Sequence, residues 1–276
     1  MKRKKAIVTI AIGKQYLDMF ESLCKKHWMQ YCGKHKFDLI VIKNPLDGSE
    51  RAMNRSIAWQ KLLILSQEWS QHYDQIVWID TDILINLNNA LDICQNIPID
   101  KVSAVEAWSI PSRHIHDIAL KRLYQSWDSQ GVKYVDNLSP RLYYQNRGID
   151  NAQDLDAVVQ TGVFICSPSY HRQIFEHIYH TYEDKHGAEW NYEMPAMSYE
   201  IIKNNLHNWI NPEYNFCVSN LTAAFYPFIF HNNTSTEIDQ LIALKNIYDL
   251  GYFVHFAGCS SYMTPFYTYL KNLTLS

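Results

Sequence analysis

Two carboxylates lie close together after an apolar run in the first third of the chain. Asp80 and Asp82 flank Thr81 directly after the apolar residues 76–79. Carboxylates at positions i and i+2 project from the same side of an extended strand, so both can bind one divalent cation at the edge of a sheet. Such a cation suits a diphosphate group. Asp and Thr also close turns and cap helices, so a structural role is the alternative interpretation.

A histidine near the C-terminal end is the next candidate ligand. His255 lies in the apolar run 252–259, which predicts a strand, and Gly258 is a position where backbone can approach a ligand closely. A lone histidine in an apolar strand is most often a buried, hydrogen-bonded residue. Beside Asp80 and Asp82, a neutral imidazole completes a mixed nitrogen and oxygen site that suits Mn²⁺, with Mg²⁺ as the alternative.

The composition indicates a globular protein and excludes several functional classes. With 276 residues, 47% of them hydrophobic, the chain can form one large α/β domain or two small ones. A net charge of −3 and 19% charged residues argue against a nucleic-acid or general membrane binder. No apolar window is long enough to span a bilayer. The basic cluster at residues 2–5 favours at most peripheral contact with an inner membrane surface.

The cysteines and the N-terminal residues indicate a cytoplasmic protein. The six cysteines form no C-x-x-C pair, and several lie in apolar runs, as is typical of a reducing compartment. The apolar residues 6–13 that follow the basic cluster are too few for a signal peptide, and no small-x-small cleavage site follows them.

Alternating strands and helices predict an α/β domain over residues 1–276, with a mixed, mostly parallel central sheet flanked by helices in a Rossmann-like arrangement. The predicted strands cover residues 6–12, 37–43, 75–79, 101–107 and 158–166. The predicted helices cover residues 15–31, 56–69 and 169–182, and another begins near Pro195. Residues 108–156 lack sheet periodicity and are rich in aromatic and basic side chains, so we expect a partly helical insertion that forms an acceptor or lid region.

Several common active-site signatures are absent from the sequence. The nine glycines are too sparse for G-x-G-x-x-G or a Walker loop, which argues against a dinucleotide-binding Rossmann enzyme and a P-loop phosphotransferase. The sequence contains neither H-E-x-x-H nor G-x-S-x-G, which also argues against a zinc protease and a nucleophile-elbow hydrolase. A nucleotide-activated donor bound through a metal fits what remains.

The tripeptide at residues 80–82 and the His-Phe-Ala-Gly string at residues 255–258 together resemble the nucleotide-sugar glycosyltransferases of the glycosyltransferase A fold. The chain is similar to the glycogenin and lipopolysaccharide galactosyltransferase group and to the xyloglucan xylosyltransferases. The resemblance implies a divalent metal held by Asp80, Asp82 and His255 on the donor diphosphate, with Asp80 sharing its contacts between metal and ribose. It also implies a UDP-sugar as the first choice of donor, a GDP-sugar as the second, and transfer with retention of configuration.

Further positions match places where this family binds its donor. Residues 160–162 look like an N-T-G strand that lines the sugar pocket, with Gln160 in place of asparagine. Residues 9–12 match the segment that contacts the base and ribose. The donor contacts that the resemblance implies are Thr9, Ala11, Ile12, Asp80, Thr81, Thr161, Gly162 and Gly258.

The segment 190–199 resembles the W-H-D-E-S-x-L-N segment of the blood-group-type transferases. The resemblance implies that Glu193 faces the reacting anomeric carbon and the acceptor. Glu193 or Gln160 would then stabilise an oxocarbenium-like state. The alternative is that Glu193 only caps the helix that begins near Pro195.

The chain also departs from the family pattern after the His-Phe-Ala-Gly string. Residues 259–262 read Cys-Ser-Ser-Tyr, so the lysine that the family uses on the diphosphate has no match here. Lys61 and Arg55, which precede the acidic tripeptide at residues 80–82, are the candidates for a phosphate or sugar contact. A lysine on a helix is more often a solvated surface residue, which is the alternative for Lys61.

The acceptor stays open at this point: a lipid-linked saccharide, a glycan, a protein and a small metabolite all fit. Two other functional classes also remain. A nucleotidyltransferase that makes an activated sugar would use paired carboxylates and a metal, although Gly13 and Lys14 are a weak substitute for its glycine-rich loop. A non-catalytic carbohydrate-binding module would share the aromatic content, with 19 tyrosines and 8 tryptophans.

Overall fold

The computed structural model describes residues 3–134, 137–152, 154–183, 192–230 and 235–273. Its strands form a six-stranded central sheet and a smaller three-stranded sheet. The strands are β1 (Lys5–Ile10), β2 (Asp38–Ile42), β3 (Gln75–Ile79), β4 (Ile83–Ile85), β5 (Val102–Glu106), β6 (Val159–Cys166), β7 (His207–Trp209), β8 (Phe216–Cys217) and β9 (Phe253–His255).

Helices connect most of these strands and cover the sheet. The α-helices are α1 (Lys14–Met19), α2 (Lys25–His35), α3 (Glu50–Met53), α4 (Arg113–Gln130), α5 (Pro140–Gln145), α6 (Pro168–Thr181), α7 (Met194–Lys203), α8 (Val218–Phe225), α9 (Glu237–Leu250) and α10 (Met263–Leu273). A π-helical turn, Phe20–Cys24, joins α1 to α2. Among the described residues, no helix combines the length and the apolar character that a bilayer span requires.

The central sheet has the strand order β2-β1-β3-β6-β5-β7. The pairs β1/β2, β1/β3 and β5/β7 are parallel, whereas β6 is antiparallel to both β3 and β5. The prediction of a mixed, mostly parallel sheet is therefore confirmed. Because β6 runs in the opposite direction, its first residues lie at the same edge as the carboxyl ends of β1, β3 and β5. Ile79 pairs with Val163, so Asp80 leaves the sheet beside residues 160–162.

The small sheet brings the C-terminal part of the chain to this edge. Its strand order is β4-β9-β8, and Ile83 of β4 pairs with His255 of β9. The prediction of one strand over residues 252–259 is wrong at its C-terminal end, because β9 ends at His255. Gly258 there has φ of 69°, and Cys259 donates its N–H to Phe256 O at 2.9 Å, so the backbone turns away from the sheet.

Residues 56–69 also differ from the prediction. The segment forms a 3₁₀ helix, Ile57–Ser66, and a second one, Glu68–His72, with an extended residue between them. Trp59, Leu62 and Leu65 are buried at intervals of three, which is the period of a 3₁₀ helix, so the apolar spacing fits this helix better than an α-helix.

Two hydrophobic cores hold the sheet from opposite faces. On one face, Ile7 and Val77 pack with aromatic residues of the surrounding helices and the small sheet, including Trp28 and Phe256. On the other face, the core contains the remaining large residues of the central strands together with the 3₁₀ helix, α6 and α7; its members include Ala6, Val8, Trp59, Leu62, Trp78, Phe164, Phe175 and Met197. The edge that carries Asp80 is therefore fixed by buried apolar residues on both sides.

The segment 108–156 is partly helical, as predicted. It contains α4, which packs against α8 through Ala119, Leu123 and Ala223, and α5, which contributes Tyr143 to a further apolar cluster. Its function as an acceptor or lid region stays a prediction. All six cysteines of the chain are free thiols.

Candidate active site

The predicted metal ligands converge in the structure. Asp80 and Asp82 follow β3, His255 ends β9, and one ligand atom from each of the three lies within 4.8 Å of the other two. The side chain of His255 is 4% exposed, whereas the side chains of Asp80 and Asp82 are 29% and 24% exposed. His255 Nε2 is 3.2 Å from Asp82 Oδ1. The cluster is thus buried on the imidazole side and accessible on the carboxylate side.

This donor set fits a divalent cation: the two carboxylates suit both Mn²⁺ and Mg²⁺, and the imidazole favours Mn²⁺, the softer of the two ions. Asp82 and His255 each favour the charged form of the other. Burial raises the pKa of Asp82, but the adjacent His255 outweighs burial and holds this pKa below its usual value. Burial lowers the pKa of His255, but Asp82 and Asp80 outweigh it and raise this pKa above its usual value.

A second charged group lies next to the metal candidates. Lys61 is only 3% exposed, and its Nζ is 2.8 Å from Glu193 Oε1, 3.2 Å from Asp80 Oδ1 and 3.3 Å from Thr161 O. The ammonium also lies 5.2 Å from the centre of the Trp78 ring. Burial lowers the pKa of Lys61, but Asp80 and Glu193 outweigh it and raise this pKa. Lys61 is therefore a buried cation between two acids, not the solvated surface residue of the alternative interpretation.

Glu193 does not act as a helix cap through its side chain. It occupies the N-cap position of α7, but its carboxylate makes no capping hydrogen bond. Instead, Oε1 pairs with Lys61 and accepts a hydrogen bond from Thr161 Oγ1 at 2.9 Å. Burial raises the pKa of Glu193 despite the ion pair with Lys61. Trp190 and Asn191, which contributed to the family resemblance, lie outside the described residues.

The first residues of β6 form one wall of the cluster. Gln160 Oε1 accepts the Gly162 N–H at 2.7 Å, so the side-chain carbonyl folds back on its own strand. Gly162 O accepts the Asp80 N–H at 2.9 Å. A Cβ atom on Gly162 would lie 2.4 Å from His255 Cε1 and 2.8 Å from its Nδ1, so only glycine leaves room for the imidazole.

Sequence reasoning missed two side chains that contact the candidate ligands. Trp78 donates its Nε1–H to Asp80 Oδ1 at 2.7 Å, and His255 Nδ1 donates to Asn215 Oδ1 at 2.7 Å. Trp78 lies two positions before Asp80, and residues at this spacing share one face of a strand, so the spacing could have identified this contact. No local pattern marks Asn215, because its contact with His255 depends on the packing of a distant turn.

The remaining residues that were predicted to contact the donor differ in how exposed they are. Thr9 is fully buried, and Ala11 is almost so, whereas Ile12 is partly exposed beyond the carboxyl end of β1. Thr81 is buried, and Cys24 Sγ donates to its carbonyl oxygen. Gly258 has open space at its Cβ position, so its left-handed φ, not a close contact, accounts for glycine there.

The structure does not bring Arg55 into the cluster. Its guanidinium donates to the carbonyl oxygens of Tyr179 and Tyr182, pairs with Glu183 at 3.0 Å and lies over the Trp59 ring. These contacts connect the 3₁₀ helix to the end of α6, which is a structural role. The prediction that Arg55 contacts the donor gains no support from them.

Comparison with known proteins identifies the fold. No protein-family model matches the chain, and no curated protein matches its sequence. Among solved structures, a glycosyltransferase involved in the glycosylation of the major capsid of PBCV-1 matches with a TM-score of 0.51 and 13% identity, over 94% of this chain and 98% of that one. The galactosyltransferase LgtC, in complex with donor and acceptor sugar analogs, matches with a TM-score of 0.50 and 12% identity, over 95% of each chain.

A third structure, the bifunctional glycosyltransferase WbbM in its apo form, matches with a TM-score of 0.54 and 13% identity. The match covers 93% of this chain and 46% of WbbM. All three matches extend over nearly the whole of this chain, so the resemblance is not confined to one half of it. The chain therefore has the glycosyltransferase A fold that the sequence motifs indicated.

Proposed function

We propose that this protein is a metal-dependent glycosyltransferase that moves a sugar from a nucleotide-sugar donor to an acceptor. The observation that carries the proposal is the convergence of Asp80, Asp82 and His255 at the carboxyl edge of the central sheet. In open α/β sheets, ligands bind at this edge. The shared fold supports the same assignment.

Asp80, Asp82 and His255 would hold Mn²⁺ or Mg²⁺ with the donor. When bound, the cation supplies Lewis-acid stabilisation of the negative charge on the departing nucleoside diphosphate. The donor would approach the cation from the side of the two partly exposed carboxylates. The buried imidazole would hold the cation from the protein side. A UDP-sugar is the first choice of donor and a GDP-sugar the second, with the base and ribose beside the carboxyl end of β1, where Ile12 is partly exposed.

Glu193 is the better candidate for stabilising positive charge on the sugar. Lys61 and Thr161 hold one of its carboxylate oxygens next to the metal site, and an anionic group there stabilises an oxocarbenium-like state. Gln160 is less suited, because its amide carries no full negative charge and its carbonyl oxygen also accepts the Gly162 N–H. We favour retention of configuration, in which the departing phosphate oxygen takes the proton of the attacking hydroxyl.

The helical segment 108–156 is the proposed acceptor or lid region, and it is compatible with a glycan, a lipid-linked saccharide, a protein or a small molecule. Six free cysteines support a reducing compartment, so we place the enzyme in the cytoplasm, with at most peripheral contact at the inner membrane surface.

A donor panel tests the proposal directly. The protein is incubated with UDP-, GDP-, ADP- and dTDP-sugars, with Mn²⁺ or with EDTA, and free nucleoside diphosphate is measured. We expect Mn²⁺-dependent release of diphosphate from one donor class, with UDP-sugars first. Pyrophosphate chemistry with sugar phosphates and nucleoside triphosphates would support the nucleotidyltransferase instead. Glycan binding without any turnover would support the binding module.

A further inference from the structure

His255 makes a second polar contact on the side away from the carboxylates. Its Nδ1 lies 2.7 Å from Asn215 Oδ1, and its Nε2 lies 3.2 Å from Asp82 Oδ1. Asn215 is fully buried at the end of the 3₁₀ turn Pro212–Asn215, directly before β8. Register along the small sheet brings the two residues together, because Cys217 of β8 pairs with His255 of β9.

The contact with Asn215 determines which imidazole nitrogen carries hydrogen. An amide carbonyl oxygen only accepts hydrogen bonds, so Nδ1 of His255 must be the protonated nitrogen in this contact. In a neutral imidazole the lone pair then lies on Nε2, which is the nitrogen that faces Asp82. Asn215 therefore selects the tautomer in which His255 can bind a cation together with the carboxylates.

The position of the ring is restricted from another side by β6. Gly162 faces the imidazole so closely that a Cβ atom would lie 2.4 Å from Cε1 and 2.8 Å from Nδ1. Gly162 also accepts the Asp80 N–H through its carbonyl oxygen. The backbone of Gly162 thus contacts both Asp80 and His255 of the metal cluster.

We propose that Asn215 and Gly162 are positioning residues that orient His255 for metal binding through Nε2. The inference rests on the proposed metal-dependent function. Asn215 selects the tautomer through its acceptor oxygen, and Gly162 leaves the space in which the ring lies against the strand. Neither residue is itself a metal ligand.

The hydrogen bonding of Asn215 argues against a purely structural role. Its Nδ2 is buried and has no hydrogen-bond partner among the described residues. A buried amide that leaves one donor unpaired reduces the free energy of unfolding. The bond to His255 is therefore the side-chain hydrogen bond that distinguishes Asn215 from an apolar residue at this position.

Titration with Mn²⁺ alone tests the inference without an activity assay. Free Mn²⁺ is followed by its electron paramagnetic resonance signal, with and without UDP, for the wild type, Asn215→Ala and Asn215→Asp. We expect the Mn²⁺ dissociation constant to rise about ten- to hundredfold in Asn215→Ala, as is typical when the partner of a ligating histidine is removed. Asn215→Asp keeps an acceptor oxygen and should bind at least as well as the wild type.

Asn86→Ala is the matched control. Asn86 is also a buried asparagine beside the small sheet, and it donates to Tyr248 O at 2.8 Å without contacting the cluster. Its replacement should lower the thermal midpoint but leave Mn²⁺ binding unchanged. Equal Mn²⁺ binding by Asn215→Ala and the wild type would overturn the inference, and so would equal weakening by Asn215→Ala and Asn215→Asp.

Gly162→Ala gives an independent measurement with its own control. The added methyl group must displace the imidazole, so the dissociation constant should rise by a similar factor. Gly33→Ala, at a helical position with nothing within 4 Å of the added atom, should bind Mn²⁺ normally. Normal binding by Gly162→Ala would remove Gly162 from the inference. If the wild type bound no Mn²⁺ with or without UDP, the proposed function itself would be wrong.

Discussion

Two acid–base pairs lie side by side at the same edge of the sheet, yet they are built differently. Asp82 pairs with His255 at 3.2 Å, and its carboxylate is 24% exposed. Lys61 pairs with Glu193 at 2.8 Å, and both side chains are almost completely buried. Asp80 connects the two pairs, since it belongs to the metal cluster and also contacts the ammonium of Lys61.

The difference separates the functions of the two pairs. The carboxylates of Asp80 and Asp82 are partly exposed and can bind a cation without breaking the fold. The charge of Lys61 is balanced by Glu193 and Asp80. Removing the ammonium would leave the buried carboxylate of Glu193 without its counter-charge. We therefore assign Asp80, Asp82 and His255 to the metal and the buried Lys61–Glu193 pair to the orientation of Glu193 beside the sugar.

Asp82→Ala should have the largest effect on activity. Losing Lewis-acid stabilisation of the leaving group costs several kcal/mol, so we expect kcat/KM for sugar transfer to fall about a thousandfold. Stability should change little, because Asp82 is partly exposed. Asp74→Ala, which removes a carboxylate at the opposite end of β3, is the control and should keep full activity. Wild-type turnover by Asp82→Ala would remove the metal from the mechanism.

Lys61→Met should have the largest effect on stability. Removing one partner of a buried ion pair costs about 3–5 kcal/mol, and we expect about 3 kcal/mol because Thr161 still donates to Glu193. Urea unfolding measures this loss. The matched variant Lys5→Met breaks an ion pair with Asp92, whose carboxylate is 29% exposed and can be hydrated. An equal loss in the two variants would mean that the burial of Glu193 does not matter.

Mn²⁺ should distinguish the pairs by the stability that it adds. At one hundred times its dissociation constant, a bound ligand stabilises the native state by about 2.7 kcal/mol. We expect this gain in the wild type and in Lys61→Met, because Lys61 is not a ligand, and none in Asp82→Ala. Thermal unfolding with Mn²⁺ and with EDTA measures the difference. A gain that disappeared in Lys61→Met would place Lys61 in the metal site itself.

Sequence alone could predict the metal cluster better than the Lys61–Glu193 pair. The spacing of Asp80 and Asp82 after an apolar strand, together with His255 in its own motif, indicated the metal cluster because strand ends meet at a sheet edge. The burial of Lys61 followed from packing of a 3₁₀ helix against α6, which no local pattern reveals. Arg55 was indistinguishable from Lys61 in the sequence, although their contacts in the structure are entirely different.

Glu193→Gln tests whether the buried pair serves chemistry as well as folding. The amide keeps the shape and the oxygen that accepts from Thr161, but it cannot stabilise positive charge on the sugar. We expect kcat to fall about tenfold to a hundredfold, or ~2 kcal/mol, with donor affinity nearly unchanged. Isothermal titration with the donor and single-turnover transfer separate these two quantities.

Glu200→Gln is the control for Glu193→Gln, because Glu200 is a buried glutamate on the same helix whose carboxylate accepts from Tyr182 OH. It should keep the wild-type kcat even if stability falls. Suppose instead that both variants transferred sugar at the wild-type rate. The Lys61–Glu193 pair would then be a structural element, and the group that stabilises the sugar would have to be sought among the polar residues of β6.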